Sequence, residues 1–258
     1  MGAVILSLLP VLFVGAGIGF LGGMLGKGGS ALATPVLVAF GIPPIIALAA
    51  PLPATVPGSL VAANGYRRRG LIDHEILKWS LIAGVPATIL GAVASRWVDA
   101  SSLVSVTDVI LVALGMRMAW HAGRVVVAPV VDEGAVAEPI VGKTVAVAIV
   151  TGLAAGLLAN SGGFLLAPLF VAILGLEIKP AFGTSLAVAA VLAVPGTLVH
   201  LALGHLNLAV VMVFAAGSVP LSGVGAKVAL RSDPARLERG YGVLLVVLGL
   251  AFLLRPLL

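Results

Sequence analysis

Cysteine is absent from all 258 residues, which excludes disulfides and thiolate metal sites. Charge is scarce. Only 10% of the chain is Asp, Glu, Lys or Arg, whereas a soluble domain carries about 25%. No H-E-x-x-H stands in the sequence, so that signature of a metallohydrolase is missing. No stretch alternates apolar and polar residues at every second position, which excludes a transmembrane barrel. Met1–Pro10 lacks a basic n-region and a small-residue cleavage site before a soluble domain. The first apolar run is therefore expected to be a retained helix.

What fills the chain is hydrocarbon: 60% of residues are hydrophobic and the mean hydropathy is +1.22. The runs Ile45–Ala63, Ala181–Ala202 and Leu206–Ala226 contain no Asp, Glu, Lys or Arg. Each is about as long as a membrane-spanning helix, roughly 17–25 residues. Backbone in lipid must satisfy its own hydrogen bonds, so these runs are predicted as helices. The fold class that follows is all-α: a polytopic helical membrane protein in a lipid bilayer. The formal net charge of +5 does not point to nucleic acid. The basic residues sit in short loops beside apolar helices, where they set topology and meet anionic lipid.

The chain contains one pattern twice. "GKGG" at 26–29 has a counterpart in "NSGG" at 160–163, an offset of 162 − 28 = 134. The same ungapped offset pairs Gly22 with Gly156, Gly41 with Gly175, Gly70 with Gly204, Val85-Pro86 with Val219-Pro220, and Asp99 with Asp233. Chance matches are common among Ala, Leu, Val and Gly, but paired prolines and aspartates in one register are not. Two repeats are expected, at about 1–120 and 143–258, joined by the linker 121–142 with its Pro, Gly and charges of both signs. Each reads as a Gly-rich broken or re-entrant hairpin (about 3–41; 143–175) followed by three longer helices (45–65, 77–95 and 104–120; 180–202, 206–227 and 240–256). The short segments 30–41 and 164–175 are too short to span about 30 Å without tilt or thinning, so short crossings and re-entrant halves both stay open.

The loop "YRRRG" (66–70) holds Arg67, Arg68 and Arg69, while its partner "LALGH" (201–205) has no Lys or Arg. Conversely, the stretch 227–239, "KVALRSDPARLER", is basic and its partner around 95–102 holds only Arg96. Equivalent loops are thus expected on opposite faces, making the repeats an inverted-topology pair with both termini outside the cytoplasm.

In such transporters the site lies near the midplane where interrupted helices meet, their N-terminal amides aimed at anions. The candidate substrate-binding residues are Lys27, Gly28, Gly29 and Ser30 at the first break, and Asn160, Ser161, Gly162 and Gly163 at the second. Thr184 and Ser185 of "GTS" join them. Lys27 has two readings: a cation for an anionic substrate, or a lysine whose stem snorkels its ammonium to the headgroups. A phosphate-loop reading fails because Lys27 is followed by Gly28 rather than Ser or Thr. His200 reads as a hydrogen-bonded interfacial histidine or a proton carrier, and Asp108 as a shallow structural carboxylate.

"GFLGGMLGKGGSALATPVLVAFGIPP" (19–44) and "GLLANSGGFLLAPLFVAILGLEIKPAFGTSLAVA" (156–189) resemble the two signature regions of the sulfite exporter TauE/SafE family. Ala181, Gly183, Thr184 and Ser185 stand at its A-x-G-T-S positions; in the first half Ser30 replaces a glycine and "LAAP" (48–51) replaces A-x-G-T-S. The resemblance implies a permease that moves sulfite, a sulfonate or a related organosulfur anion across the cytoplasmic (inner) membrane; no cofactor and no resident metal are expected. A permease for an uncharged or cationic solute is the alternative. A proton or sodium coupling ion and a homodimer stay open. A membrane enzyme is disfavoured: Ser161 has His200 or His205 as formal partners, yet no oxyanion or carboxylate motif accompanies them.

Overall fold

The computed structural model describes residues 2–26, 30–94, 109, 112–120, 138–157 and 163–253, and every regular element among them is an α-helix. In chain order these are α1 (Gly2–Met24), α2 (Ser30–Ala39), α3 (Pro44–Ala49), α4 (Pro51–Arg67) and α5 (His74–Ala94). The helix at 112–120 is α6. Then come α7 (Glu138–Leu157), α8 (Gly163–Leu174), α9 (Ile178–Ala202), α10 (Leu208–Arg231) and α11 (Pro234–Leu253). Among the described residues, five stretches are long and apolar enough to cross a membrane: Pro44–Arg67, His74–Ala94, Ile140–Leu157, Ile178–Ala202 and Leu208–Arg231. The chain is a multi-pass helical membrane protein.

The boundaries follow local chemistry. Pro43 and Pro44 open α3, where a missing N–H costs nothing. Asp73 caps α5: its carboxylate accepts from the amides of Glu75 and Ile76. Asn207 caps α10 through Val210. One expected boundary is wrong. The basic stretch 227–239 is not a loop, because α10 runs through Arg231 and α11 starts at Pro234, six residues before the expected 240. Asp233 explains this, since its side chain accepts the Arg236 amide while Pro234 takes the first helical position.

The 134-residue offset recurs in backbone geometry. Gly41 (φ 83°) and Gly175 (φ 71°) end the short helices, while Gly70 (φ 67°) and Gly204 (φ 71°) follow the long ones. All four adopt the left-handed conformation that L side chains avoid. Thr88 donates to the Gly84 carbonyl at 2.8 Å, and Ser222, 134 positions on, donates to the Ser218 carbonyl at 2.8 Å.

Packing between helices rests on backbone contact. A Cβ on Gly15, Gly19 or Gly23 of α1 would stand 2.5, 2.2 or 1.9 Å from the carbonyl oxygens of Phe214, Ser218 and Ser222 of α10. Both series rise together, so α1 and α10 run parallel. Likewise Gly152 meets Gly84, and Gly156 meets Thr88 and Gly91, so α7 runs parallel to α5. In lipid, close van der Waals approach of this kind replaces the hydrophobic drive, and only glycine permits it. Between α4 and α9 the order reverses: Leu52 meets Gly196 and Tyr66 meets Gly183, so they are antiparallel.

These registers fix the depth of the first hairpin. Gly23 lies level with Ser222, yet α10 continues nine residues to Arg231, about 13 Å at 1.5 Å per residue. α1 stops that far short of the face that α10 reaches. α2 then leads back to Pro44, at the opposite face from Arg67. The first hairpin thus ends short of the level of Arg231.

Adding one methyl at Gly156 would force α5 and α7 apart, because its Cβ would lie 2.1 Å from the Thr88 carbonyl oxygen. Gly156→Ala is expected to cost about 2 kcal/mol, in the range of core overpacking. Gly142→Ala, in the same helix with open space around it, should be neutral or slightly stabilising. Thermal unfolding in detergent reads both, and equal midpoints for the two variants would refute the contact.

Candidate functional site

The site is built where the first hairpin meets the second half of the chain. α1 ends at Met24, and Gly26, at φ 69°, turns the chain. A Cβ at Gly26 would lie 2.7 Å from Ser185 Oγ, 2.9 Å from a Phe182 ring carbon and 3.2 Å from the Ala167 methyl. Glycine is required there twice, by the backbone angle and by the space. The Ser185 hydroxyl is fully buried and shares its proton between the Gly26 carbonyl at 3.2 Å and the Phe182 carbonyl at 3.0 Å.

Thr184, its neighbour, faces elsewhere. Its Oγ1 accepts the Asp73 amide at 3.0 Å, and Thr184 too is fully buried. Successive helix residues point about 100° apart, and these two hydroxyls reach different partners. Ser185 meets the hairpin tip, and Thr184 meets the loop between α4 and α5.

Ser30 is the first residue of α2 and Gly163 the first of α8. Ala167, in the first turn of α8, touches Gly26, four residues before α2 begins. The N-terminal ends of both short helices thus approach one region from different halves of the chain. Lys27, Gly28, Gly29, Asn160, Ser161 and Gly162 lie outside the described residues, as does Asp108.

A family model described as "Sulfite exporter TauE/SafE" matches residues 11–252. The chain belongs to the sulfite exporter TauE/SafE family. A "Probable membrane transporter protein" of Xylella fastidiosa (strain 9a5c) is 26% identical over 248 residues, covering 95% of this chain and 94% of the relative. The "Probable membrane transporter protein YjnA" of Bacillus subtilis (strain 168) is 24% identical over 250 residues, covering 94% and 98%. No solved structure matches the chain.

In this TauE/SafE chain several residues that sequence reasoning passed over take part. The buried Tyr66 ring packs on Gly183, and its hydroxyl finds no hydrogen-bond partner among the described residues. Arg69 Nη1 and Lys179 Nζ both donate to the Leu230 carbonyl, at 3.1 and 3.2 Å, in the last turn of α10. Cations belong at that end of a helix dipole. The loop-capping Asp73 was legible from its place three residues before an apolar run; Arg69 and Lys179 left no sequence signal beyond their charge. At the other end of α9, His200 and His205 approach at 3.1 Å between Nδ1 atoms, a hydrogen-bond distance. Among the described residues no group of three or more His, Asp or Glu side chains gathers to hold a metal ion.

Ser185→Ala removes the tie to the hairpin tip and is expected to cost about 1 kcal/mol. Gly26→Ala must strain the backbone and displace Ser185 and Phe182, and should cost about 2 kcal/mol or more. Unfolding midpoints of the purified variants rank them. A Gly26→Ala midpoint at or above that of Ser185→Ala would contradict this geometry.

Proposed function

We propose that the chain is a secondary transporter for a small anion (sulfite, a sulfonate or a related organosulfur anion) that works by alternating access between two inverted units. The observation that carries the reading is the lodging of the Gly26 tip against Ala167, Phe182 and Ser185 of the other half. It gathers the N-terminal ends of α2 and α8, which carry unpaired amides and the positive ends of helix dipoles. Lys27 follows directly on Gly26 and adds a full charge to those dipoles. A compact ammonium on a flexible stem suits an oxyanion of either charge. The site residues of this reading are those of the two breaks, Lys27–Ser30 and Asn160–Gly163, together with Thr184 and Ser185. The family membership and the names of the relatives favour a transporter.

The helix directions support the inverted arrangement. α1 runs with α10; so does α4, since Val61 meets Gly223 and Gly65 meets Ala226 and Leu230. α9 runs against α4. α5 runs with α7 and, through Asp73 to Thr184 and Gly84 to Leu192, with α9. Thus α1, α4 and α5 each point opposite to their counterparts α7, α9 and α10. Arg67–Arg69, Lys179, Lys227, Arg231, Arg236 and Arg239 collect at one end, which the positive-inside rule makes cytoplasmic. α1 starts and α11 ends toward the other side, outside the cytoplasm.

Topology is checked with single cysteines in this cysteine-free chain. Arg68→Cys is expected to label only from the cytoplasmic side and Leu203→Cys only from outside, with an impermeant thiol reagent. Equal labelling of both from outside intact cells would sink the inverted arrangement.

The substrate is checked in proteoliposomes with a panel of labelled anions, using chloride, sulfate and neutral amino acids as controls. Sulfite or sulfonate counterflow is expected. Lys27→Met keeps most of the stem and removes the charge, and should weaken the apparent anion affinity by roughly tenfold, about 1.4 kcal/mol. A folded Lys27→Met protein with unchanged affinity would remove Lys27 from the site, and counterflow confined to neutral amino acids would favour the uncharged-solute reading.

A further inference from the structure

Thr184 and Ser185 are consecutive, yet they tie α9 to two different parts of the first unit. Ser185 holds the hairpin tip through the Gly26 carbonyl, and Thr184 holds the α4–α5 loop through the Asp73 amide. Ser185 lies seven residues into α9, about 10 Å from its start at the arginine-rich end. What fills that depth is Tyr66, Phe182, Gly183 and Leu71, with Phe182 packed edge-to-face on Tyr241 at 5.1 Å. Tyr66 and Phe182 are fully buried. Above them, Arg69 of the loop and Lys179 of α9 converge on one acceptor, the Leu230 carbonyl.

The opposite end has no such ties at the equivalent positions. The offset of 134 puts Ala50 where Thr184 stands (184 − 134), Ile45 where Lys179 stands (179 − 134) and Leu203 where Arg69 stands (69 + 134). None of those side chains can make the polar contact. The ties made by Thr184, Lys179 and Arg69 therefore belong to the arginine-rich end and are not a by-product of the repeated fold; the opposite end carries a different polar contact, His200 to His205 at 3.1 Å.

We propose that Thr184–Asp73, reinforced by Arg69 and Lys179 on Leu230, is the latch that closes the arginine-rich face over the hairpin tip. Thr184 and Ser185 together transmit the state of the tip to that latch. The proposal takes its purpose from the transporter reading and its geometry from the contacts alone. The buried Tyr66 hydroxyl, without a partner among the described residues, fits a plug that opens: it gains water or a ligand group when the loop lifts. A hydroxyl buried unpaired disfavours the closed state, so the latch has something to work against.

The test reads accessibility and needs no substrate. Ser185→Cys places a single thiol beneath the plug of this cysteine-free chain. A charged methanethiosulfonate reagent is applied from the arginine-rich face, using inside-out vesicles. Thr184→Val keeps the side-chain shape and removes the acceptor; Arg69→Gln with Lys179→Gln removes both cations without touching the buried plug. In each background the introduced thiol is expected to label about tenfold faster than with the latch intact, as a tenfold shift toward the open state requires. Thr184→Ser, which keeps the acceptor, should restore protection. Unchanged labelling in the double Gln variant, or faster labelling from the opposite face only, would overturn the latch. If Thr184→Val fails to fold, the double Gln variant decides alone. Absence of anion counterflow together with the labelling difference would overturn the anion reading and leave the latch standing.

Discussion

Everything near the centre of this protein depends on helices touching backbone to backbone. Gly15, Gly19 and Gly23 bring α1 onto the carbonyls of α10, and Gly152 and Gly156 bring α7 onto α5. Lipid gives helices no hydrophobic reason to associate, so close contact itself must hold them. These contacts join the first helix of each half to a later helix of the other. No short loop enforces either pairing. They also set how deep each hairpin reaches, because the register of α1 on α10 decides where Gly26 stops. Displacing α1 by the width of a methyl group would carry the tip away from Ser185, whose hydrogen bond to Gly26 is already 3.2 Å long.

Much of this scaffold was legible as sequence. Small residues at four-residue spacing in 15–23 and 152–156 announce close helix packing. The offset of 134 singled out Gly41 with Gly175 and Gly70 with Gly204, and all four have left-handed backbone angles. A glycine that recurs in register marks a conformational demand and not a composition bias. The extent of α11 was misread because the eye follows charge. Arg236, Glu238 and Arg239 look like a solvated loop, but Asp233-Pro234 is a helix start, and helices that leave a membrane carry their charges on the emerging turn.

The contacts of Thr184 and Ser185 were not legible in the sequence. The motif ending in Gly183, Thr184 and Ser185 drew both hydroxyls into one expected group, whereas the helix sends them to different partners. The 100° step between neighbours lets one helix send them to different partners. What no sequence argument supplies is the identity of those partners. Asp73 and Gly26 lie 111 and 159 residues from the hydroxyls they meet, so only the fold brings them together.

A duplicated scaffold faces a problem that the residues at its two ends address. If the two inverted units proposed above were chemically equal, a two-fold rotation in the membrane plane would interchange the inward- and outward-open states and make them equal in free energy. Nothing in the protein would then distinguish one face from the other. The repeat here keeps backbone features in register, the glycine turns and the Thr88 and Ser222 bonds among them. It lets side chains at the ends diverge: Thr184 against Ala50, Lys179 against Ile45, Tyr66 against His200 (66 + 134). On the alternating-access reading proposed above, backbone register would preserve packing common to both states, while end residues would contribute only in the state where their partners meet. Differences in state energy must come from contacts present in one state and absent in the other. On the latch reading proposed above, the polar ties of the arginine-rich end are contacts of that kind, and Ala50, Ile45 and Leu203 at the matching positions cannot form them.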